Sequence, residues 1–179
     1  MGMDQYVMCA DRANFERKNQ IAEYLAVMEA VHASKVRQKV MVIGKKVSEL
    51  PGDQLSALTN ECYGSEEYKS LKREFNHLES SESELRYWRK AYDLHGFIRD
   101  RLLGPDCEDN CVPIVLTPEF MRDLVEWLKS EIRKKSGSAL EDEDDLYYQV
   151  NRMRQDVDFF SDLMTNTNAE KVIYYYAWY

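Results

Sequence analysis

The chain has 179 residues, enough for one domain with a sizeable core, and 44% of them are hydrophobic and 31% charged, as in globular proteins. Its net charge of −8 argues against nonspecific nucleic-acid binding, because a phosphate backbone is held chiefly by Lys and Arg. No stretch approaches the roughly 20 apolar residues that cross a bilayer, and no signal peptide is evident, so we expect a cytoplasmic protein with no membrane partner.

Three segments have the composition or the alternation of β-strands: Met3–Cys9, Val36–Ile43 and Val172–Trp178. Helical spacing of apolar residues lies between them. It predicts helices over Asn14–Ala33, Ser65–Ser80 and from Ser81 or Ser83 to Leu103, another that starts at Thr117-Pro118-Glu119, and a last one before the C-terminal strand. We therefore predict a single α+β domain over residues 1–179, with four or five helices packed on a small sheet that includes the N-terminal and C-terminal strands.

The last predicted helix has the most regular apolar pattern. Its apolar residues recur at a spacing of four, three, four, three and four: Leu146, Val150, Met153, Val157, Phe160 and Met164. Such a seam usually packs against a neighbouring helix of the same domain. A homodimer formed through this seam is the alternative that the sequence leaves open.

The helix predicted to end at Leu103 carries the candidate binding residues. On a helical wheel Trp88, Tyr92, His95 and Arg99 form a line along the edge of the apolar stripe. One interpretation is plain core, with Trp88 packed and His95 hydrogen-bonded. The other is a ligand site, because aromatic rings stack on a base while His and Arg donate to phosphate or carboxylate.

The ligand interpretation adds residues from two further places. Arg89 would reach such a pocket from its rim, and Tyr174, Tyr176 and Trp178 of the C-terminal strand would complete it. The expected ligand is small, anionic and nucleotide-like. Tyr92 and Arg99 are poor core residues, which is the reason for keeping this interpretation beside the first.

No motif indicates a cofactor, a metal centre or an enzyme. The sequence has no Gly-x-Ser-x-Gly, no glycine-rich phosphate loop and no His-Glu-x-x-His. Cys107 and Cys111 form the one close cysteine pair, and no second pair completes a zinc site. The acidic run Glu141–Asp145 is best explained as a solvated segment that starts a helix, with a divalent metal site or a DNA-mimicking surface as the alternatives.

Several segments resemble an uncharacterised phage protein family. They are the start Met-Gly-Met-Asp-Gln-Tyr, the block Tyr87-Trp88-Arg89-Lys90-Ala91 with His95, the pair Asp106-Cys107 and the aromatic C-terminus with Ala177-Trp178. The family typically opens Met-Gly-Leu-Asp-Met-Tyr and has Asn where this chain has Tyr92. The resemblance implies a phage origin and a shared fold, and it implies no reaction.

Two functions follow as expectations. The first is a phage accessory protein, for example an anti-defence protein, that sequesters a small anionic nucleotide-like ligand. The alternative is an acidic protein-interaction module that inhibits a host protein. The first predicts a concave site lined by Trp88, His95 and the C-terminal aromatic residues, and the second predicts a flat or convex acidic surface without such a pocket.

Overall fold

A computed structural model describes residues 3–43, 52–104, 111–136 and 143–178. The chain divides into two compact units. The sheet unit contains Met1–Ala10 and Ser83–Tyr179, and the helical unit contains Asp11–Glu82. The single domain over residues 1–179 stays a prediction.

The fold is α+β, as predicted. In chain order the elements are β1 (Asp4–Asp11), α1 (Arg12–Ile43), α2 (Gly52–Tyr63), α3 (Glu66–Ser80), β2 (Ser83–Arg89), α4 (Tyr92–Leu102), β3 (Ile114–Val115), α5 (Pro118–Ser136), α6 (Glu143–Asn166) and β4 (Lys171–Trp178). The described ranges thus hold six helices, against the four or five predicted. No helix in these ranges is both long enough and apolar enough to span a membrane.

The four strands form one sheet in the order β2-β1-β4-β3. The pairs β1/β2 and β3/β4 are antiparallel. Strands β1 and β4 lie in the middle of the sheet, so the two predicted terminal strands are confirmed. Because side chains alternate along a strand, each strand presents one set of residues to the core and the other set to the opposite face.

The core of the sheet unit lies between one face of the sheet and helices α4, α5 and α6. The strands contribute Val7, Trp88, Ile114, Ile173, Tyr175 and Ala177, and the helices contribute Leu94, Ile98, Phe120, Met121, Leu124, Val125, Leu128, Met153 and Phe160. Helix α5 begins as predicted, because the Thr117 hydroxyl accepts a hydrogen bond from the Phe120 amide at 3.2 Å.

The regular seam of α6 packs within the monomer. Val150, Met153 and Phe160 are buried, and Val157 is partly buried against the same core. The side chain of Leu146 lies outside the described part. The prediction that the seam faces the core of its own chain is therefore confirmed for the three buried residues.

The predicted strand Val36–Ile43 is wrong, because this segment continues helix α1. Its alternating β-branched residues suggested a strand. A helix that has already started gains one hydrogen bond for each residue added, whereas a new strand needs a partner strand. Elongation of α1 therefore overrides the local β propensity.

The predicted helix from Ser81 or Ser83 to Leu103 is also wrong in its first half. Ser83–Arg89 forms strand β2, and only Tyr92–Leu102 is helical. Lys90 separates the two elements in a left-handed conformation, with φ 59°. Its amide donates to the Met3 carbonyl oxygen at 2.8 Å, which continues the pairing of β1 and β2 up to the turn.

Hydrogen bonds and an ion pair join α1 and α3 in the helical unit. Arg17 donates to both carboxylate oxygens of Glu74, at 2.7 and 3.1 Å, and this hydrogen bond lowers the pKa of Glu74. The Tyr24 hydroxyl donates to Glu67 at 3.1 Å. Helix α3 has no fully buried residue: Glu67 and Glu74 are its acidic anchor residues to α1, and its apolar residues Leu71, Phe75 and Leu78 are partly buried.

Candidate functional site: an aromatic face of the sheet

The face of the sheet opposite the core carries a cluster of aromatic and charged side chains. Gln5, Trp88 and Tyr175 are buried on the core side, so their strand neighbours point the other way. The side chains on that opposite face that are not fully buried include Asp4, Tyr6, Tyr87, Arg89, Tyr176 and Trp178, the last of which follows the buried Ala177, and we call this set the aromatic face. Register confirms the arrangement, since Asp4 lies directly opposite Arg89, and Tyr6 directly opposite Tyr87.

Three tyrosine rings on three neighbouring strands form the centre of the aromatic face. The ring centroid of Tyr6 lies 5.1 Å from that of Tyr87 and 6.2 Å from that of Tyr176. The Tyr87 side chain is 45% exposed, and that of Trp178 is 56% exposed. Flat π-surfaces are thus open to solvent beside the guanidinium of Arg89, which is also exposed.

The charges of the aromatic face are mixed. The Tyr87 hydroxyl donates to the Asp4 carboxylate at 2.7 Å, and this hydrogen bond raises the pKa of Tyr87. Burial raises the pKa of Tyr6, with a further contribution from the Asp4 carboxylate. Both phenols therefore stay protonated at neutral pH. Arg89 is the cation of this set, and Asp4 can accept hydrogen bonds.

Three of the eight residues predicted from the sequence share this face: Arg89, Tyr176 and Trp178. Tyr174 points to the same side of β4 but is buried. Arg89 is on strand β2, whereas Tyr176 and Trp178 are on strand β4, so the three residues share a face of the sheet rather than a helix and a strand.

Trp88 lies in the core. Its side chain is only 3% exposed, it stacks on Phe160 with ring centroids 6.1 Å apart, and its indole Nε1 donates to Asp156 at 2.9 Å. Arg86 donates to the same carboxylate oxygen at 2.9 Å. The structure thus places Trp88 as the plain core interpretation had it, and a buried polar network fixes its orientation.

His95 belongs to a second buried network. Its Nδ1 lies 2.9 Å from the Tyr175 hydroxyl, and the side chain is 5% exposed. The amide of Gln5 satisfies all its neighbours in one orientation: the nitrogen donates to the Tyr175 hydroxyl at 2.8 Å and to the Ala91 carbonyl at 3.2 Å, while the oxygen accepts from the Ala91 amide at 2.8 Å. Gln5 therefore joins β1 to the start of α4, and the Tyr175 hydroxyl donates to His95.

Tyr92 and Arg99 lie on helix α4, which packs on the core side of the sheet. Tyr92 is exposed, and Arg99 makes hydrogen bonds to the neighbouring Asp100 at 2.6 and 2.9 Å. The line of Trp88, Tyr92, His95 and Arg99 does not exist as a helical face, because Trp88 is on a strand. These residues are not brought together with Trp178.

Sequence reasoning missed Tyr6 and Tyr87. Each lies next to a buried residue in a short β-prone segment. The available signal was therefore the two-residue period of a strand, which places the neighbours of a buried residue on the opposite face. In β2 that signal was obscured by Trp88, Ala91, Leu94 and Ile98, which are all buried and recur at helical spacing across the strand, the turn and the helix.

The Asp156 network predicts a specific pH dependence. Burial raises the pKa of Asp156 above 3.8, and the indole of Trp88 and the charge of Arg86 offset this only in part. In the interval above 3.8 the folded state keeps a proton that the unfolded chain releases, so rising pH favours unfolding. We expect the stability advantage of the native chain over Asp156→Asn to shrink as pH rises through this interval.

Urea unfolding of both proteins at about pH 3.5 and about pH 7 measures this difference. Comparing the two proteins cancels the titration of the other carboxylates. A stability advantage that grows with pH would contradict this expectation. It would show that the ion pair with Arg86 outweighs burial and lowers the pKa of Asp156.

The remaining sequence candidates concern metal binding. Among the described residues no three His, Cys, Asp or Glu side chains come together as a metal site. Cys111 is exposed, and Cys107 lies outside the described residues. Glu141 and Asp142 of the acidic run also lie outside them, and the rest of the run begins helix α6, as the helix-start interpretation predicted.

Comparison of the chain with protein-family models, with curated protein sequences and with solved structures gave no match.

Proposed function

We propose that the protein binds a small, anionic, base-containing ligand on the aromatic face of its sheet. The observation that carries the proposal is the cluster of Tyr6, Tyr87 and Tyr176, on a face of the sheet that also carries the exposed residues Trp178 and Arg89. Exposed aromatic side chains on a sheet are a recurrent platform for unstacked bases, and each stacked base contributes about 1–3 kcal/mol.

The charged groups of the face complement the two ends of such a ligand. Arg89 would make a charge-assisted hydrogen bond to a phosphate, which is the interaction that planar guanidinium groups make best. Asp4 would accept a hydrogen bond from an amino group of the base. Since Asp4 would repel a long phosphate backbone, a small nucleotide suits the face better than a nucleic-acid strand.

The wider role remains the one expected from the sequence. We propose a phage accessory protein, for example an anti-defence protein, that acts in the host cytoplasm by sequestering a nucleotide signal. Sequestration needs a binding surface and no catalytic group. The resemblance to an uncharacterised phage family supports the origin, and the aromatic face supports the ligand class.

A protein partner is the second proposal. Tyr, Trp and Arg are the residues that most often dominate binding energy at protein interfaces, and the aromatic face holds three Tyr, one Trp and one Arg. The seam of α6, which the sequence offered as an alternative dimer interface, has Val150, Met153 and Phe160 buried in the monomer. A host protein would therefore be bound through the aromatic face.

Calorimetric titration against a panel of cyclic and linear nucleotides tests the first proposal. We expect Tyr87→Ala and Arg89→Ala each to weaken binding of the recognised nucleotide about tenfold, because each removes one stacking or phosphate contact. Tyr148→Ala and Arg154→Ala on helix α6 are matched controls, since both residues are exposed and lie outside the aromatic face. Both controls should bind as the native chain does.

Failure of every nucleotide to bind below about 100 μM would contradict the nucleotide proposal. The protein-partner proposal would then stand in its place. It predicts that Tyr87→Ala and Arg89→Ala abolish capture of a host protein that the native chain and the two control variants retain.

A further inference from the structure

A second set of aromatic and basic residues lies in the helical unit, on the side of α3 that faces away from its acidic anchor residues. A surface pocket of ≈ 300 Å³ is lined by Tyr63, Tyr68, Lys69, Lys72, Arg73 and Asn76. This volume is at the lower end of the range of small-ligand sites. None of these residues belongs to the sheet unit, so the pocket and the aromatic face share no residue.

The tyrosine rings of the pocket are held in place. Tyr63 and Tyr68 pack edge to face, with ring centroids 5.0 Å apart. The Tyr68 hydroxyl donates to Glu29 of α1 at 2.8 Å, and the ring of His32 packs on Tyr63 at 5.3 Å. Binding of a ligand to these rings would therefore cost little side-chain entropy.

The charges of α3 are sorted between its two sides. Glu67 and Glu74 turn toward α1, where they accept hydrogen bonds from Tyr24 and Arg17. Three cations remain on the pocket side.

Lys69 and Arg73 share one carboxylate, that of Glu66, at 3.2 and 4.0 Å. Within the described residues the ammonium of Lys72 makes no ion pair, and it lies 4.9 Å from the ring centroid of Phe75. The pocket is thus a locally positive site on a chain whose net charge is −8.

From this arrangement we propose that the α2–α3 pocket binds a compound with a multiply charged phosphate group. Lys72 and Arg73 would contact the phosphate, with Lys69 adding its charge, and the edge-to-face tyrosines would contact a ring attached to it. The shared chemistry is that of pyrophosphate, which can be free or part of a nucleoside diphosphate. Two positive side chains one residue apart and a third nearby match such a ligand better than a single carboxylate.

Calorimetric titration of the full chain with inorganic pyrophosphate and with ADP tests this proposal. The double variant Lys72→Gln/Arg73→Gln should weaken the binding of pyrophosphate at least tenfold, because both direct cations are lost. The control Lys129→Gln/Lys134→Gln removes the same charge from exposed positions of α5 and should leave binding unchanged. Stronger binding of ADP than of pyrophosphate, removed by Tyr63→Ala, would identify the nucleoside diphosphate as the ligand.

Three results would overturn the proposal: no saturable binding of pyrophosphate by the native chain, equal weakening in both double variants, or loss of pyrophosphate binding in Arg89→Ala. The last two would indicate a diffuse charge effect or a phosphate site on the aromatic face. Tyr87 belongs to the aromatic face and not to the pocket, so Tyr87→Ala should not change the binding of pyrophosphate. The two proposals can therefore fail independently of one another.

Discussion

Replacing Trp88 by Ala is expected to lower the free energy of unfolding by about 3–5 kcal/mol, the usual cost of truncating a buried Trp. The indole stacks on Phe160 and donates to Asp156, so its removal leaves a cavity and takes one hydrogen bond from a buried carboxylate. Trp178→Ala is the matched control. Its side chain is 56% exposed, and we expect its stability to stay within about 0.5 kcal/mol of the native value.

Urea unfolding of the two tryptophan variants measures the contrast directly. The two substitutions should also separate in the binding assay, since Trp178→Ala removes a residue of the aromatic face and leaves the core intact. Equal stability losses in both variants would show that Trp178 packs against the protein as Trp88 does. Trp178 would then not be available to stack on a ligand at the aromatic face.

Gln5→Leu is expected to cost about 2–4 kcal/mol, because it deprives several buried polar groups of their partner at once. The amide of Gln5 pairs with both backbone groups of Ala91 and with the Tyr175 hydroxyl, and the residue is fully buried. Leu fills a similar volume, so the loss measures hydrogen bonding rather than packing. Gln155→Leu on the exposed side of α6 makes the same chemical change without burial and should be nearly neutral.

Chemical denaturation at neutral pH, with His95 as a nuclear magnetic resonance reporter, checks this prediction. In Gln5→Leu the Tyr175 hydroxyl loses one partner, so the ring resonances of His95 should shift. A Gln5→Leu variant as stable as the native chain would mean that water or another group replaces the amide at Ala91.

The terminal strands were predictable because their local composition favours β-strands. Val172–Trp178 is a run of β-branched and aromatic residues, and Met3–Cys9 is short and β-prone, so propensity and tertiary structure agree. At Val36–Ile43 they disagree. The alternation there is genuine, but a helix that continues through it needs no partner strand, and sequence alone does not show which of the two wins.

Strand β2 escaped prediction for a different reason. Its buried Trp88 and the buried face of α4 fall at positions that imitate one continuous helix, although Lys90 ends the strand with a positive φ. A Lys in this conformation leaves no signature in the sequence, since Gly is the usual residue there. The wrongly predicted helix placed Tyr92 and Arg99 beside Trp88. It also left Tyr87 out of the candidate site, because the position of Tyr87 on the outer face follows only from strand alternation.

For the candidate site, residue type was a better guide than the predicted geometry. Arg89 was chosen as a cation at the rim of the predicted pocket, and Tyr176 and Trp178 as aromatic residues of the C-terminal strand, and all three share one face of the sheet. Tyr6 could join them only through the pairing of β1 with both β2 and β4, which is a long-range contact. Trp88 and His95 satisfied the same chemical criteria but lie on the other side of the sheet.

Fluorine nuclear magnetic resonance of the protein labelled with fluorotryptophan tests the binding proposal most directly. The chain has three tryptophans: Trp178 lies on the aromatic face, Trp88 lies in the core, and Trp127 of α5 stacks on Phe97 of α4. On titration with the cyclic and linear nucleotide panel, we expect one nucleotide to shift the Trp178 resonance saturably while the other two stay in place. A Trp178 resonance that no nucleotide moves, or a shift confined to Trp88 or Trp127, would contradict binding on this face of the sheet.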